Sequence, residues 1–582
     1  AFQMVYDSQG RLVESKSPGS SWVYHIYDTR DRLVLTQDGK QKIEDEWSYT
    51  KYDELNRPII SGIYRPGSSI SRETMQANVN GLGGGNGHQN LKSETVNGVR
   101  IGVDIVVNQY ENVNEYKAVN SIVIKPGFTF TAGTTGTAFR ASIDDGSGTG
   151  VSADVFPIDN DEALVLTSYD SYDQCGICQD AGYQFVSESW NTSSNEPFLI
   201  TNRVLGLVVA TSVRVLNTES WQHCVNYYSK NHQTIQSITS NYEGGKTRRS
   251  TLSDFGNRTL ETLTTYIGLN TNLSKVRRRY DYDHAGRVLK VYHRVNNQPE
   301  VTLVSNEFTS LGQLVDKKIH SVNNEPFLQS VDYHYSIQGR SLAVNSTSAD
   351  DATDPAPDYF SLELAYENTF GALNYPRFDG LVTGLKWKHD LSEKEQGYGF
   401  SYNNLHWLTG SSFKLNNDNN WNSPENSFFN EDGLTYDYNG NILTLNRKRQ
   451  VTALSGLSTD QLQYDYGSAG NQLLSVTDNA PSANKSMGFE DGNTMGNDFS
   501  YDVNGNIIGD ENNQITITYN FKNLPEKIAF DDDSCIEYVY DATGRKLRQV
   551  NCTSCSTNKV VVAQSDYVED LVFLDNELQM AV

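Results

Sequence analysis

The sequence predicts an all-β protein in which short hairpins join edge to edge into a curved, hollow wall. Three observations predict it. A unit of Tyr-Asp, two variable residues, Gly, Arg or Asn, one variable residue and an aliphatic residue recurs along the 582-residue chain, and repetition of this kind sets the architecture. No stretch shows convincing helical periodicity beyond a couple of turns. Apolar residues make up only 37% of the chain and mean hydropathy is -0.55. That is low for one solid body of this size, but suits thin walls wetted on both faces.

Each part of the unit has a physical reason. Asp opening a four-residue turn can accept a hydrogen bond from a backbone N–H two residues on. Gly three positions later takes a positive φ without strain. Tyr before the turn and Leu or Ile after it are strand residues that meet across a hairpin. One hairpin alone is unstable in water, so many must pair laterally. Turn chemistry accounts for these aspartates without a metal.

In chain order, residues 1–72 hold Tyr6-Asp7 with Gly10-Arg11, then Tyr27-Asp28 with Asp31-Arg32, then Tyr52-Asp53 with Asn56-Arg57. Asp31 and Asn56 stand where Gly is expected, and both residue types tolerate the left-handed conformation. The pattern breaks over 73–160, where Asn80–Gly87 is flexible by composition and Val119–Gly133 alternates like the rungs of a small β-stack. This reads as an inserted β-module. The Gly-rich run lacks the Lys-Ser/Thr of a phosphate loop, and Asp144–Gly148 reads as a solvated loop rather than a calcium site. Residues 161–250 read as a less regular β segment, with Thr211–Leu216 and Trp221–Tyr228 paired around Asn217-Thr218-Glu219. His223 and Cys224 are adjacent on a strand and so point to opposite faces, which rules them out as a base and nucleophile.

Over 251–582 the unit returns. Copies are Asp254 to Arg258; Asp283 with Gly286-Arg287; Leu311-Gly312; Gly339-Arg340; Tyr402 to Trp407; Tyr436-Asp437 with Gly440-Asn441; Tyr466 to Asn471; Tyr501-Asp502 with Gly505-Asn506; Tyr519 to Asn523; and Tyr540-Asp541 with Gly544-Arg545. Lys275–Arg279 is a basic cluster whose alternation fits a strand leading into Tyr280. Asp350–Pro357 reads as an acidic surface loop.

A net charge of -25 and a pI near 4.8 argue against nucleic-acid partners and anionic membrane surfaces. No apolar run is long enough to span a bilayer. Neither end shows a closing element, so the chain is expected to be a section of a longer polypeptide. Of six cysteines, Cys175 with Cys178 and Cys552 with Cys555 have CxxC spacing. Two such pairs suit zinc, but they lie far apart in sequence and no βαβ pattern suggests a redox motif. Counting outward from the 541–544 turn places Cys535 opposite about residue 550–552, so a disulfide or neighbouring thiols at Cys535 and Cys552 is the preferred reading. Cys224 has no evident partner. No catalytic, cofactor-binding or metal-ligating set is expected, because the acidic residues sit mainly in turns and no Ser/His/Asp spacing appears.

These units resemble the YD repeats of the RHS family, on Tyr6-Asp7 with Gly10-Arg11-Leu12, Tyr436-Asp437 with Gly440-Asn441-Ile442, and Tyr540-Asp541 with Gly544-Arg545. Tyr27 to Gly39, Lys51 to Pro58, Gly380 to Gly384 and Val568 to Phe573 resemble the long RHS-repeat proteins of the Bacteroidetes. The resemblance implies a β-strip spiralling into a cocoon, related to the teneurin YD shell, that encloses a polymorphic C-terminal toxin. It implies a non-enzymatic shell whose partner is a cargo domain of the same polypeptide, and export across an outer membrane by type IX machinery to the surface or outside. A cell-surface adhesin with the 73–160 module as binder is the alternative. No self-cleavage residue carries over, because no segment here matches the family's core.

Overall fold

The computed structural model describes residues 2–83, 94–96, 99–107, 115–124, 140–143, 161–191, 198–269, 274–323, 325–345, 358–389, 394–417, 420–424, 428–452, 455–467, 470–481, 487–555 and 559–581. The fold is nearly all β. A 16-stranded antiparallel sheet runs from Gln3–Tyr6 to Leu314–Val322, an 11-stranded sheet from Tyr333–Tyr335 to Ser475–Asp478, and a nine-stranded sheet from Phe499–Tyr501 to Glu577–Ala581. Within these sheets strands pair almost wholly in chain order. The ribbon therefore advances one hairpin at a time, as laterally joined hairpins must.

Successive hairpins turn at alternate edges of the ribbon. The Tyr-Asp turns all fall on one edge, and less regular connections form the other. Each Tyr-Asp hairpin carries a register shift beside its Tyr, as between Val5 and Tyr6, Lys51 and Tyr52, and Val539 and Tyr540. An extra residue on one strand sharpens local twist. Repeated at one edge, it curls the ribbon.

Burial follows from this single-layer design. Strands such as Val288–Val295 and Pro525–Phe530 are half-buried along nearly their whole length. Much of the deep burial gathers in separate clusters. One is made where the helix Arg72–Gly83 lays Met75 and Val79 on Ile26, Leu35, Trp47 and Tyr49. Another forms where the loop after Asp161–Asp170 folds Cys175, Cys178 and Tyr183 onto Val209, Val225 and Tyr227.

The helix corrects the expectation that no helix exceeds a couple of turns. It has 12 residues, starts at Ser71, whose Oγ accepts from Thr74 N, and takes in the first half of the Gly-rich run. Its apolar stripe is only two residues wide over the described side chains. That is too narrow to register as a period, but enough to dock on a sheet face.

Strand Pro58–Tyr64 pairs directly with Asp161–Asp170, so the segment between them leaves and re-enters the sheet at neighbouring strands. Within it Val99–Val107, Glu115–Ile124 and Arg140–Ile143 pair in parallel. Residues 126–133, 144–148 and 350–357 lie outside the described residues.

Candidate functional site

Each Tyr-Asp turn is a closed hydrogen-bond unit. In the first, Asp7 Oδ1 accepts from Gln9 N at 2.9 Å and Arg11 N at 3.0 Å, and Oδ2 accepts from Arg11 Nε at 2.8 Å. Gly10 N donates to Asp7 O, with Gly10 at φ +80°. Asp28, Asp53 and Asp283 repeat the pattern toward Arg32, Arg57 and Arg287. Asp437 and Asp502 repeat it toward Asn441 and Asn506. Gly286, Gly440, Gly505 and Gly544 all have positive φ, and Asp31 and Asn56 adopt 60° and 63° in its place.

These bonds favour the charged carboxylate. The backbone N–H and guanidinium of Arg11 pull Asp7 below the usual range, and Arg287 does the same to Asp283. At Asp437 partial burial opposes the shift, but donation from Asn441 outweighs it. The side chain of Arg57 lowers Asp170.

The repeat also carries a ladder that links one turn to the next. The Tyr hydroxyl donates to the carbonyl of the first residue after the preceding turn: Tyr27 to Leu12 at 2.9 Å, Tyr52 to Leu33 at 2.9 Å, Tyr282 to Thr259 at 2.6 Å and Tyr436 to Leu408 at 2.6 Å. Tyr501 reaches Leu473 O. The Arg of one turn lies over the aromatic ring of the next, as Arg11 over Tyr27 and Arg32 over Tyr52, both 5.0 Å from the centroid. Its guanidinium then continues forward: Arg11 to Asp31, Arg32 to Asn56, and Arg57 by both terminal nitrogens to Asp170. Arg suits this role because one planar group can stack and fork at once. Sequence reasoning placed Tyr and Arg as turn residues and missed the ladder. The available signal was Tyr rather than Phe before Asp, since only a hydroxyl reaches a carbonyl.

The ribbon curls far enough to meet itself. The Tyr-Asp edge of the third sheet docks on the opposite edge of the first. Ser21 N donates to Val503 O at 2.7 Å, and Lys40 N to Asn504 Oδ1 at 3.1 Å. Further along, Asp541 and Val215 form an antiparallel bridge, flanked by Leu216 N to Tyr540 O and Ala542 N to Arg214 O. Beyond that, Arg548 pairs with Glu243, and Arg249 with Asp570 at 2.6 Å. Val568, Leu571 and Phe573 pack on Tyr266 and Val276. Arg545 differs from its counterparts at the other turns: it lines a polar cleft in this seam with Ser237, Arg249, Glu569 and Asp570, and burial raises the Glu569 carboxyl.

The cysteines correct one reading. The third-sheet disulfide joins Cys535 to Cys555, with Cα atoms 6.2 Å apart, and leaves Cys552 a buried thiol. Cys535 and Cys552 are register partners, as counted. Bulges on both sides of Cys552 disturb the ladder there and bring Cys555 round to Cys535. Cys175 and Cys178 are bonded to each other, so the two CxxC pairs do not share one zinc. His223 Nδ1 meets Ser212 Oγ at 2.8 Å, while the Cys224 thiol faces Asn226. Arg277 and Arg279 pair with Glu261 and Glu300. Among the described residues, the one cluster with ligating geometry is Cys535, Cys552 and Cys555. No helix of the described residues is long and apolar enough to cross a membrane.

No family model matches the chain, and no curated protein does. Solved structures match over its whole length. The crystal structure of TcdB2-TccC3 without its hypervariable C-terminal region aligns with 99% of the chain at TM-score 0.55 and 11% identity. TcdB2-TccC3 itself aligns with 98% at the same score and identity. The Photorhabdus luminescens Tc holotoxin pore with the TccC3 mutation D651A aligns with 99% at TM-score 0.54 and 10% identity. The fold is that of an RHS-repeat shell. The chain spans 22%, 22% and 21% of the length of these three structures.

Proposed function

We propose that this chain is a non-catalytic wall section of a larger secreted RHS-repeat protein that encloses or presents a cargo domain, a toxin by analogy with the structural neighbours. The observation that carries the reading is the seam. A ribbon that only displayed a ligand has no need to close on itself, whereas an enclosing wall must seal each coil to the last, and here the seal runs from Ser21–Val503 to Arg249–Asp570. One neighbour is described as lacking a hypervariable C-terminal region, and a variable segment is what a common shell would enclose. Two disulfides support an oxidising compartment, in keeping with export across an outer membrane; the type IX route and a Bacteroidetes source belong to the same proposal.

Small-angle scattering with negative-stain imaging tests the enclosure. A solid globule of this length has a radius of gyration of about 25 Å. The proposal expects a clearly larger radius and class averages with a central minimum. A radius at the compact value with uniform density overturns it.

A further inference from the structure

Cys535, Cys552 and Cys555 hold one disulfide and one thiol among three sulfurs. Cys535 opens strand Cys535–Tyr540, Cys552 lies on Lys546–Ser554, and Cys555 follows that strand. The three sulfur atoms all lie within 4.8 Å of one another. Cys535 and Cys552 are 1% and 3% exposed, while Cys555 is half-buried just beyond the end of its strand. Each sulfur has a structural claim on each of the others. Cys535 and Cys555 are bonded, Cys535 and Cys552 are directly opposed in the ladder, and Cys552 and Cys555 have CxxC spacing. A disulfide serving only as a staple has no use for a third sulfur within 4.8 Å of both of its atoms.

We propose that these cysteines form a thiol–disulfide exchange site, with Cys552 as the internal nucleophile and an external thiol as the ligand class. Cys552 gives up its proton to solvent, and its thiolate attacks Cys535 Sγ. The Cys552–Cys535 bond forms as the Cys535–Cys555 bond breaks, and Cys555 leaves with the electron pair and is reprotonated from solvent. One disulfide is consumed and one is made, so no oxidant or reductant is required. The new bond joins the two register partners. The released sulfur is the most accessible of the three, so it is the one that reaches a second thiol. The Glu537 carboxylate, 3.8 Å from Cys535 Sγ and held by Lys559 and Lys527, accepts a hydrogen bond from the Cys535 thiol when reduction frees that sulfur.

The test is disulfide mapping by peptide mass spectrometry on the full chain, expressed in an oxidising compartment, with two variants and the wild type. Cys555→Ser is expected to contain a Cys535–Cys552 bond and Cys535→Ser a Cys552–Cys555 bond, leaving Cys224 the sole thiol that Ellman's reagent titrates after denaturation. Iodoacetamide applied to the native wild type is expected to label Cys555 as well as Cys552, which needs no variant to fold. The proposal is overturned if each variant keeps both remaining cysteines of the trio as thiols, or if native wild-type protein shows label at Cys552 or Cys224 and none at Cys555.

Discussion

The Tyr-Asp turns of the first two sheets and those of the third are built from one sequence unit, yet they live in different surroundings. At the open turns the residues inside the bend stand in solvent: Phe255 is 79% exposed, Leu311 85%, and Tyr438 fully exposed. At the docked turns the corresponding positions are used. Ala542 is 4% exposed and packs with Ile63 and Leu164, joined by Phe521. The unit therefore encodes a bend and a link to the next bend, while the two variable positions decide whether that bend seals a seam. Arg545 shows the same division, since it lines the seam cleft where its counterparts serve their own turns.

The largest expected effect breaks this comparison at its apolar end. Leu571 is completely buried in the cluster that joins the third sheet to the first. Leu571→Ala is expected to destabilise by about 2–5 kcal/mol, whereas Leu311→Ala at an open turn should lie within about 0.5 kcal/mol of wild type. Denaturant melts of both variants check this. Equal effects would mean that the seam holds no more of the structure than an open turn does.

Next in size are the carboxylates. Asp541 is 4% exposed and accepts from Thr543 N and Arg545 N. Asp541→Ala leaves those donors without a partner beside the Val215 bridge, at a cost of about 2–3 kcal/mol. On the open edge, Arg57 binds Asp53 and Asp170 and lies 4.3 Å from the Tyr169 ring centroid. Arg57→Ala is expected to cost about 1–2 kcal/mol, with Arg57→Lys restoring less than half, because a lysine neither forks nor stacks in the same way. Full rescue by Lys would reduce the ladder to simple charge pairing.

Acid distinguishes the two regions by sign. Asp7, Asp170 and Asp283 have lowered values in the fold, and Asp379, paired to Arg377, is brought down from 3.8 to about 2. Groups shifted downward stabilise above the unfolded value and lose that contribution as pH falls through the folded one. The turns are thus expected to weaken as pH falls below the ordinary carboxylate range, with the loss at Asp379 spread between about pH 4 and pH 2. Glu569 in the seam is shifted upward by burial. Its charged form opposes folding above the raised value, and protonation removes the penalty, so this site gains stability as pH falls through that value. Hydrogen exchange at stepped pH should show open-turn amides such as Arg11 and Arg287 losing protection first. Loss beginning at residues 568–571 would contradict the assignment.

The bends were legible from the sequence because Asp and Gly act within four residues, and because Asp31 and Asn56 are the substitutes that positive φ permits. The docking was not, because Ser21 and Val503 are brought together by the summed curvature of every hairpin between them. The helix Arg72–Gly83 was missed since its Met75 and Val79 gain meaning only from the sheet face beneath. Counting from the 541–544 turn found the Cys535–Cys552 register but not the Cys535–Cys555 bond, because counting assumes an unbroken ladder and bulges flank Cys552.

The smallest predicted effect sharpens the reading of the unit itself. Gly440 has φ +88°, and a Cβ there would meet only Trp407 at an ordinary 3.6 Å, so Gly440→Ala isolates the backbone penalty, about 1 kcal/mol. Asn56, at φ 63°, accepts from Arg32 across the ladder at 3.1 Å. Replacing it with Gly relieves the left-handed strain and removes that bond, two terms of similar size and opposite sign, so Asn56→Gly should shift stability by no more than about 0.5 kcal/mol. A clear gain would show that conformation alone selects this position. A clear loss would show that Asn56 is retained for its link to the preceding turn, which would make the third residue after Asp a working part of the ladder wherever it is not Gly.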